Sequence, residues 1–112
     1  MTDNKINADM LHQLLLEGQM EAFNELNRQD DSCSLRGRDL QGIDLRELNA
    51  GNIDLRDCCL RHTDLRDLDL SLTNLDGASI NGAKIAGTLF PTALSPEEIN
   101  LSLLHGTRMR YR

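Results

Sequence analysis

Cys58 and Cys59 stand side by side with Arg56, Arg61 and Arg66 close along the chain, and this is where chemistry would be sought first. A thiol attacks as its thiolate, and nearby guanidinium groups favour that form. The setting stops there. The third cysteine, Cys33, leaves an odd count with no C-x-x-C spacing and no histidine pair to complete a zinc site, so reduced thiols are the expectation. His12, His62 and His105 lie far apart, none placed beside a serine or cysteine nucleophile by a local motif, and each reads as a surface imidazole. No glycine-rich phosphate loop occurs either. No catalytic residue, metal ligand or cofactor is therefore expected, and Cys59 reads as an exposed thiol that could at most be reactive.

What positions these residues is a spacing of five. In "NIDLRDCCLRHTDLRDLDLSLTNLDG" the leucines fall at Leu55, Leu60, Leu65, Leu70 and Leu75. On an α-helix, steps of five turn successive leucines by about 140° and leave no stripe. On a strand they alternate between faces. A chain that turns a corner every five residues brings each leucine to the same inward place, which defines a solenoid. The phase runs through Leu35, Leu40, Leu45, Ala50, Leu55, Leu60, Leu65, Leu70, Leu75, Ile80, Ile85 and Phe90. At 39% hydrophobic residues, such a run arises by chance on the order of once in 10⁵ trials.

Two residues earlier, on the same inward side, stand mostly small or apolar residues: Cys33, Arg38, Ile43, Leu48, Ile53, Cys58, Thr63, Leu68, Thr73, Ala78, Ala83 and Thr88. This register turns Cys59 outward. Immediately before the hit come Asp39, Asp44, Asn49, Asp54, Asp64, Asp69 and Asn74, types whose side chains bond to backbone at turns. Gly37, Gly42, Gly77, Gly82 and Gly87 sit two after it, at the expected corners. A leucine-rich repeat fits "LRDLDLSLTN" within one residue but gives no reason for Leu40, Leu60 and Ile80 in phase.

The stretch "RDLQGIDLRELNAGNIDLRDCCLRHTDLRDLDLSLTNLDGASINGAKIAG" resembles the pentapeptide-repeat family, whose unit is a small residue, Asp or Asn, Leu or Phe, and two variable residues. The resemblance covers residues 33–92. It implies an all-β solenoid, a right-handed quadrilateral β-helix with four units per coil, hence about three coils. At about 4.8 Å between stacked coils the prism would be about 15 Å long.

A solenoid must cover its ends. Residues 1–32 predict an N-terminal helical cap of two short helices, with Met10, Leu11, Leu14, Leu15 and then Met20, Phe23 and Leu26 at helical spacing and a break at Gly18. Arg38, oddly charged for an inward position, is expected to reach Asp30, Asp31 or Glu25. Residues 93–112 predict a helix with Ser95 as N-cap, Pro96 first, Glu98 closing a capping box and Gly106 as stop, followed by a basic tail, Arg108 to Arg112, whose conformation stays open. Both flanks are similar to segments beside the repeats of some bacterial family members, which implies a complete bacterial chain.

The net charge of −6 is unevenly placed: two basic against seven acidic residues in 1–32, seven against nine in 33–92, three against two in 93–112. No basic patch of the kind that neutralises phosphates appears, so no direct nucleic-acid binding is expected. There is also no apolar run of membrane length and no signal-peptide pattern, so no membrane partner is expected and the location reads as cytoplasmic.

The register offers two surfaces. Asp44, Arg46 and Glu47 stack beneath Asp64, Arg66 and Asp67 as a mixed-charge face, most simply a solvated one. Gly51, Ser71 and Pro91 with Leu72 and Leu89 form a face with few charges, the better candidate for a partner unless a terminal helix covers it. The expected function is a non-enzymatic protein–protein interaction module with an unidentified protein partner, a homodimer remaining open. The resemblance implies one alternative, a DNA-mimicking regulator of DNA gyrase or topoisomerase.

Overall fold

A computed structural model describes residues 8–29, 34–51 and 53–112. Cys33, Asp30, Asp31 and Asn52 lie outside the described residues. The helices are α1 (Ala8–Leu16), α2 (Met20–Gln29) and α3 (Pro96–His105). Between α2 and α3 the chain is a β-solenoid. Parallel bridges join Ser34 to Asp54 and Asp54 to Asn74, Asp39 to Cys59 and Cys59 to Ser79, Asp44 to Asp64 and Asp64 to Lys84, and Asp69 to Leu89. Every bridge spans twenty residues, four units of five, so residues 34–53, 54–73 and 74–93 lie above one another as tiers. The bridges define four stacks, numbered here in the order Ser34, Asp39, Asp44 and Asp69.

The expectation of extensive sheet needs correcting. Each stack carries isolated bridges, and no continuous strand forms among the described residues. The reason is geometric: corners every five residues leave too few extended residues between them to make a ladder.

The corners are four-residue turns closed by bonds such as Arg38 N–H to Leu35 C=O at 3.0 Å and Leu68 N–H to Leu65 C=O at 3.1 Å. Many place their third residue at positive φ, as a type II turn requires. Glycine does this without strain at Gly77 and Gly87, whereas the tier below uses Asp57 and Asp67 at φ 61°. The alternation is steric: a Cβ on Gly77 would lie 2.0 Å from the Asp57 carboxylate, and one on Gly87 would lie 2.1 Å from that of Asp67. Six of the seven short polar residues before a hit behave as their type predicts. Asp39, Asp44, Asp54, Asp64, Asp69 and Asn74 each accept the N–H two residues ahead at 3.0–3.2 Å.

Inside, Leu35, Leu40, Leu45, Leu55, Leu60, Leu65, Leu70, Leu75 and Ile80 are buried, with Ala50, Ile53, Cys58 and Ala78 beside them. The polar inward residues are satisfied locally. Thr63 donates to Leu60 C=O at 2.7 Å and Thr73 to Gly51 C=O at 2.7 Å. Ile85 and Phe90, expected in the same core, are only half-buried, because no fourth tier is stacked on the third among the described residues.

At the N-terminal end Leu11, Leu15 and Phe23 seal the first tier, and Gly18 at φ 74° turns α1 into α2. Arg38 pairs with Asp9 of α1 at 2.7 Å, while Glu25, one of its expected partners, binds Arg28. At the C-terminal end Ser95 Oγ accepts Glu98 N–H and Gly106 closes α3 at φ 76°. The reciprocal half of the capping box is absent, because Glu98 Oε1 instead accepts Arg110 N–H at 2.8 Å. The tail is an ordered cover: Met109 is buried and exchanges bonds with Gly77 and Ala78, and Tyr111 Oη accepts Leu75 N–H at 2.9 Å. Buried Ser102 completes this cover by accepting Ile80 N–H at 2.9 Å.

Candidate functional site

The two cysteines part company. Cys58 is buried and donates its thiol to Leu35 C=O, and desolvation pushes its pKa up to about 11, against thiolate formation. Cys59 is half-buried on the outward side of stack two. Two of the three arginines near it are occupied: Arg56 binds Asp54 at 2.8 Å and Arg66 binds Asp64 at 2.7 Å, while Arg61 has no ion pair among the described residues. Peptide mapping after brief maleimide treatment at neutral pH should find Cys59 modified and Cys58 intact, and equal labelling would contradict the register.

The histidines do not converge. His12 Nε2 lies 2.9 Å from Asp39 C=O at the first-tier edge, His62 occupies a corner beneath Gly82, and His105 is exposed at the end of α3. Among the described residues no group of three or more His, Cys, Asp or Glu is placed to hold a metal.

The charged face is largely self-satisfied. Arg46 bridges Asp44 at 2.8 Å and Asp64 of the next tier at 3.4 Å, and Arg66 takes Asp64 within its own tier. Glu47 and Asp67 remain exposed. Bonds from Arg46, Arg56, Arg66 and Ser71 hold Asp44, Asp54, Asp64 and Asp69 respectively below the usual carboxylate pKa. A carboxylate with a lower pKa folded than unfolded stabilises above its unfolded value, about 4, and loses that contribution as pH falls through the folded value. The melting temperature should therefore hold down to roughly pH 5 and fall below about pH 4; a rise on acidification would contradict it.

The face with few charges is open where it matters. Leu72 is 77% exposed and Leu89 57%, the two most prominent apolar side chains on the repeat, with Gly51 and Ser71 exposed beside them. Pro91 is buried in the return toward α3 and contributes only to the wall of a depression beside Leu72. No terminal helix covers Leu72. It stands between a depression of about 190 Å³ lined by Leu48, Gly51 and Leu68 and one of about 370 Å³ lined by Ser71, Pro91, Ala93 and Tyr111. Sequence reasoning missed Tyr111, because its place depends on where the tail lands.

Stacked five-residue units around an aliphatic core, with no assembled reactive centre among the described residues, define a repeat protein of the β-solenoid class. The family model described as pentapeptide repeats (8 copies) matches residues 31–67 and 53–90. The chain belongs to the pentapeptide-repeat family. No curated protein and no solved structure matches it. No helix among the described residues is long and apolar enough to cross a membrane.

Proposed function

We propose that this chain is a non-enzymatic, cytoplasmic interaction module: a right-handed quadrilateral β-helix of three coils, spanning 33–92 between helical ends, that offers its least charged side to a protein partner. The observation that carries the reading is the exposure of Leu72, flanked by shallow depressions of mixed polarity on a framework whose other apolar residues are mostly inside. A rigid prism adds to this by presenting contact residues with little ordering cost on binding.

Pull-down from the native cytoplasm with wild-type protein and a Leu72→Asp/Leu89→Asp variant tests it. A protein retained by the first and lost by the second is expected. Identical retention, or loss only on substituting Glu47 and Asp67 of the charged face, would overturn the assignment. The handedness is checked by a crystal structure.

Gyrase mimicry is disfavoured by charge. The repeat holds seven basic against nine acidic residues, and Arg46, Arg56 and Arg66 neutralise the aspartates they bind. Micromolar protein is expected to leave gyrase supercoiling unaffected, and clear inhibition would make mimicry the first reading.

A further inference from the structure

Among the described residues, α1 and α2 leave stack three without an attachment. His12 of α1 takes Asp39 C=O in stack two. In α2, Asn24 accepts Asn49 N–H at 2.8 Å and donates to Glu47 C=O at 2.8 Å, and Asn27 donates to Asn49 C=O at 2.9 Å. Between these two attachments lies stack three, under the α1–α2 turn at Gly18. There the N–H and C=O of Asp44 and the C=O groups of Gln41 and Arg46 have no partner among the described residues.

One tier up three of the four equivalent groups are taken: Asp64 N–H donates to Ile43 C=O at 3.1 Å, and the C=O groups of Arg61 and Asp64 accept Gly42 and Leu45 N–H at 2.9 and 3.0 Å. What satisfies such an edge in this fold is therefore another extended segment, supplying an N–H, then the carbonyl of the next residue, then a second N–H two residues beyond that.

Beside this edge runs a groove of about 720 Å³, whose apolar wall is Leu15, Leu16, Met20 and Ile43 and whose rim carries Asp44, Arg46 and Glu47. The volume falls in the range of pockets that hold a ligand. Leu16 is 54% exposed, although it belongs to a helix that otherwise turns its leucines toward the repeat. At the rim Arg46 is committed to Asp44 and Asp64, which leaves the exposed Glu47 carboxylate with no ionic partner among the described residues.

The geometry points to a peptide-docking site: an extended segment of a partner protein adds to the open first-tier edge at Asp44, inserts one aliphatic side chain between Leu16, Met20 and Ile43, and sets a lysine or arginine against Glu47. Backbone pairing supplies the affinity, and the apolar slot and the carboxylate supply the selection. This site lies on a different stack from Leu72 and stands without that surface.

The test uses the full chain to select from a phage-displayed library of linear peptides of about ten residues, long enough at about 3.4 Å per residue to cross the groove. The most enriched sequence, remade with a fluorescein label, is the probe. Enriched peptides should pair an aliphatic with a basic residue. Leu16→Lys and Glu47→Lys should each weaken probe binding about tenfold or more at unchanged melting temperature, Leu72→Lys should not, and N-methylation at one backbone position of the probe should weaken it comparably. The inference is overturned if no peptide enriches above bare support, if binding ignores both groove substitutions or is lost with Leu72→Lys, if N-methylation has no effect at any position, or if the groove substitutions instead abolish self-association of the chain.

Discussion

Replacing Leu60 by aspartate is expected to unfold the repeat region. Leu60 is fully buried in the middle tier, with Leu40 and Ile80 at the equivalent positions below and above. The substitution removes an aliphatic side chain, worth about 2–5 kcal/mol even when alanine replaces it, and leaves a carboxylate with no partner in the core. A domain of this size is stable by only about 5–15 kcal/mol in total, so most or all of that margin disappears. Leu65→Asp should behave the same way, while Leu72→Asp, at a 77% exposed position, should stay within about 0.5 kcal/mol of the parent. Urea titration of the three variants checks this, and a Leu60→Asp protein that unfolds like the parent would mean the inward register is wrong.

Removing Thr107–Arg112 is expected to cost about 3–5 kcal/mol, although these residues belong to no regular element. Met109 is fully buried, and its loss alone has the weight of a large-to-small core substitution. With it go the bonds that Met109 makes to Gly77 and Ala78 and the one from Leu75 N–H to Tyr111 Oη. Water reaching the freed edge offsets part of this loss, which is why the estimate stays below the sum of the parts. Hydrogen exchange should show Leu75 and Gly77 losing protection first, whereas Arg110→Ala, an exposed side chain, should leave both the melt and the exchange unchanged. A truncated chain with full stability would show that the third tier holds its end without the tail.

The five-residue phase was legible without coordinates because it is a local rule repeated many times. A leucine at every fifth position needs only the corner between neighbours to face inward, and an aspartate before it needs only the N–H two residues ahead. The same locality made α3 legible, since Ser95, Pro96 and Gly106 act within one turn of the helix ends. Cys58 and Cys59 were assigned opposite sides from register alone, and their burial agrees.

What only the tertiary structure decided are contacts between residues far apart along the chain and outside the repeat. Glu98 matched a capping box, yet its carboxylate went to Arg110, because the returning tail brought a backbone donor within 2.8 Å. Arg38 chose Asp9, Pro91 turned inward, and Met109 and Tyr111 became a cover rather than a frayed end. None of these has a periodic signal, because each depends on where a helix lands on the end of the stack. The open stack beneath Asp44 follows from the same cause. The sequence announces two helices and a break at Gly18, but that they leave the edge at Asp44 uncovered is settled by packing Leu11, Leu15 and Phe23 against the first tier, a choice made across space and not along the chain.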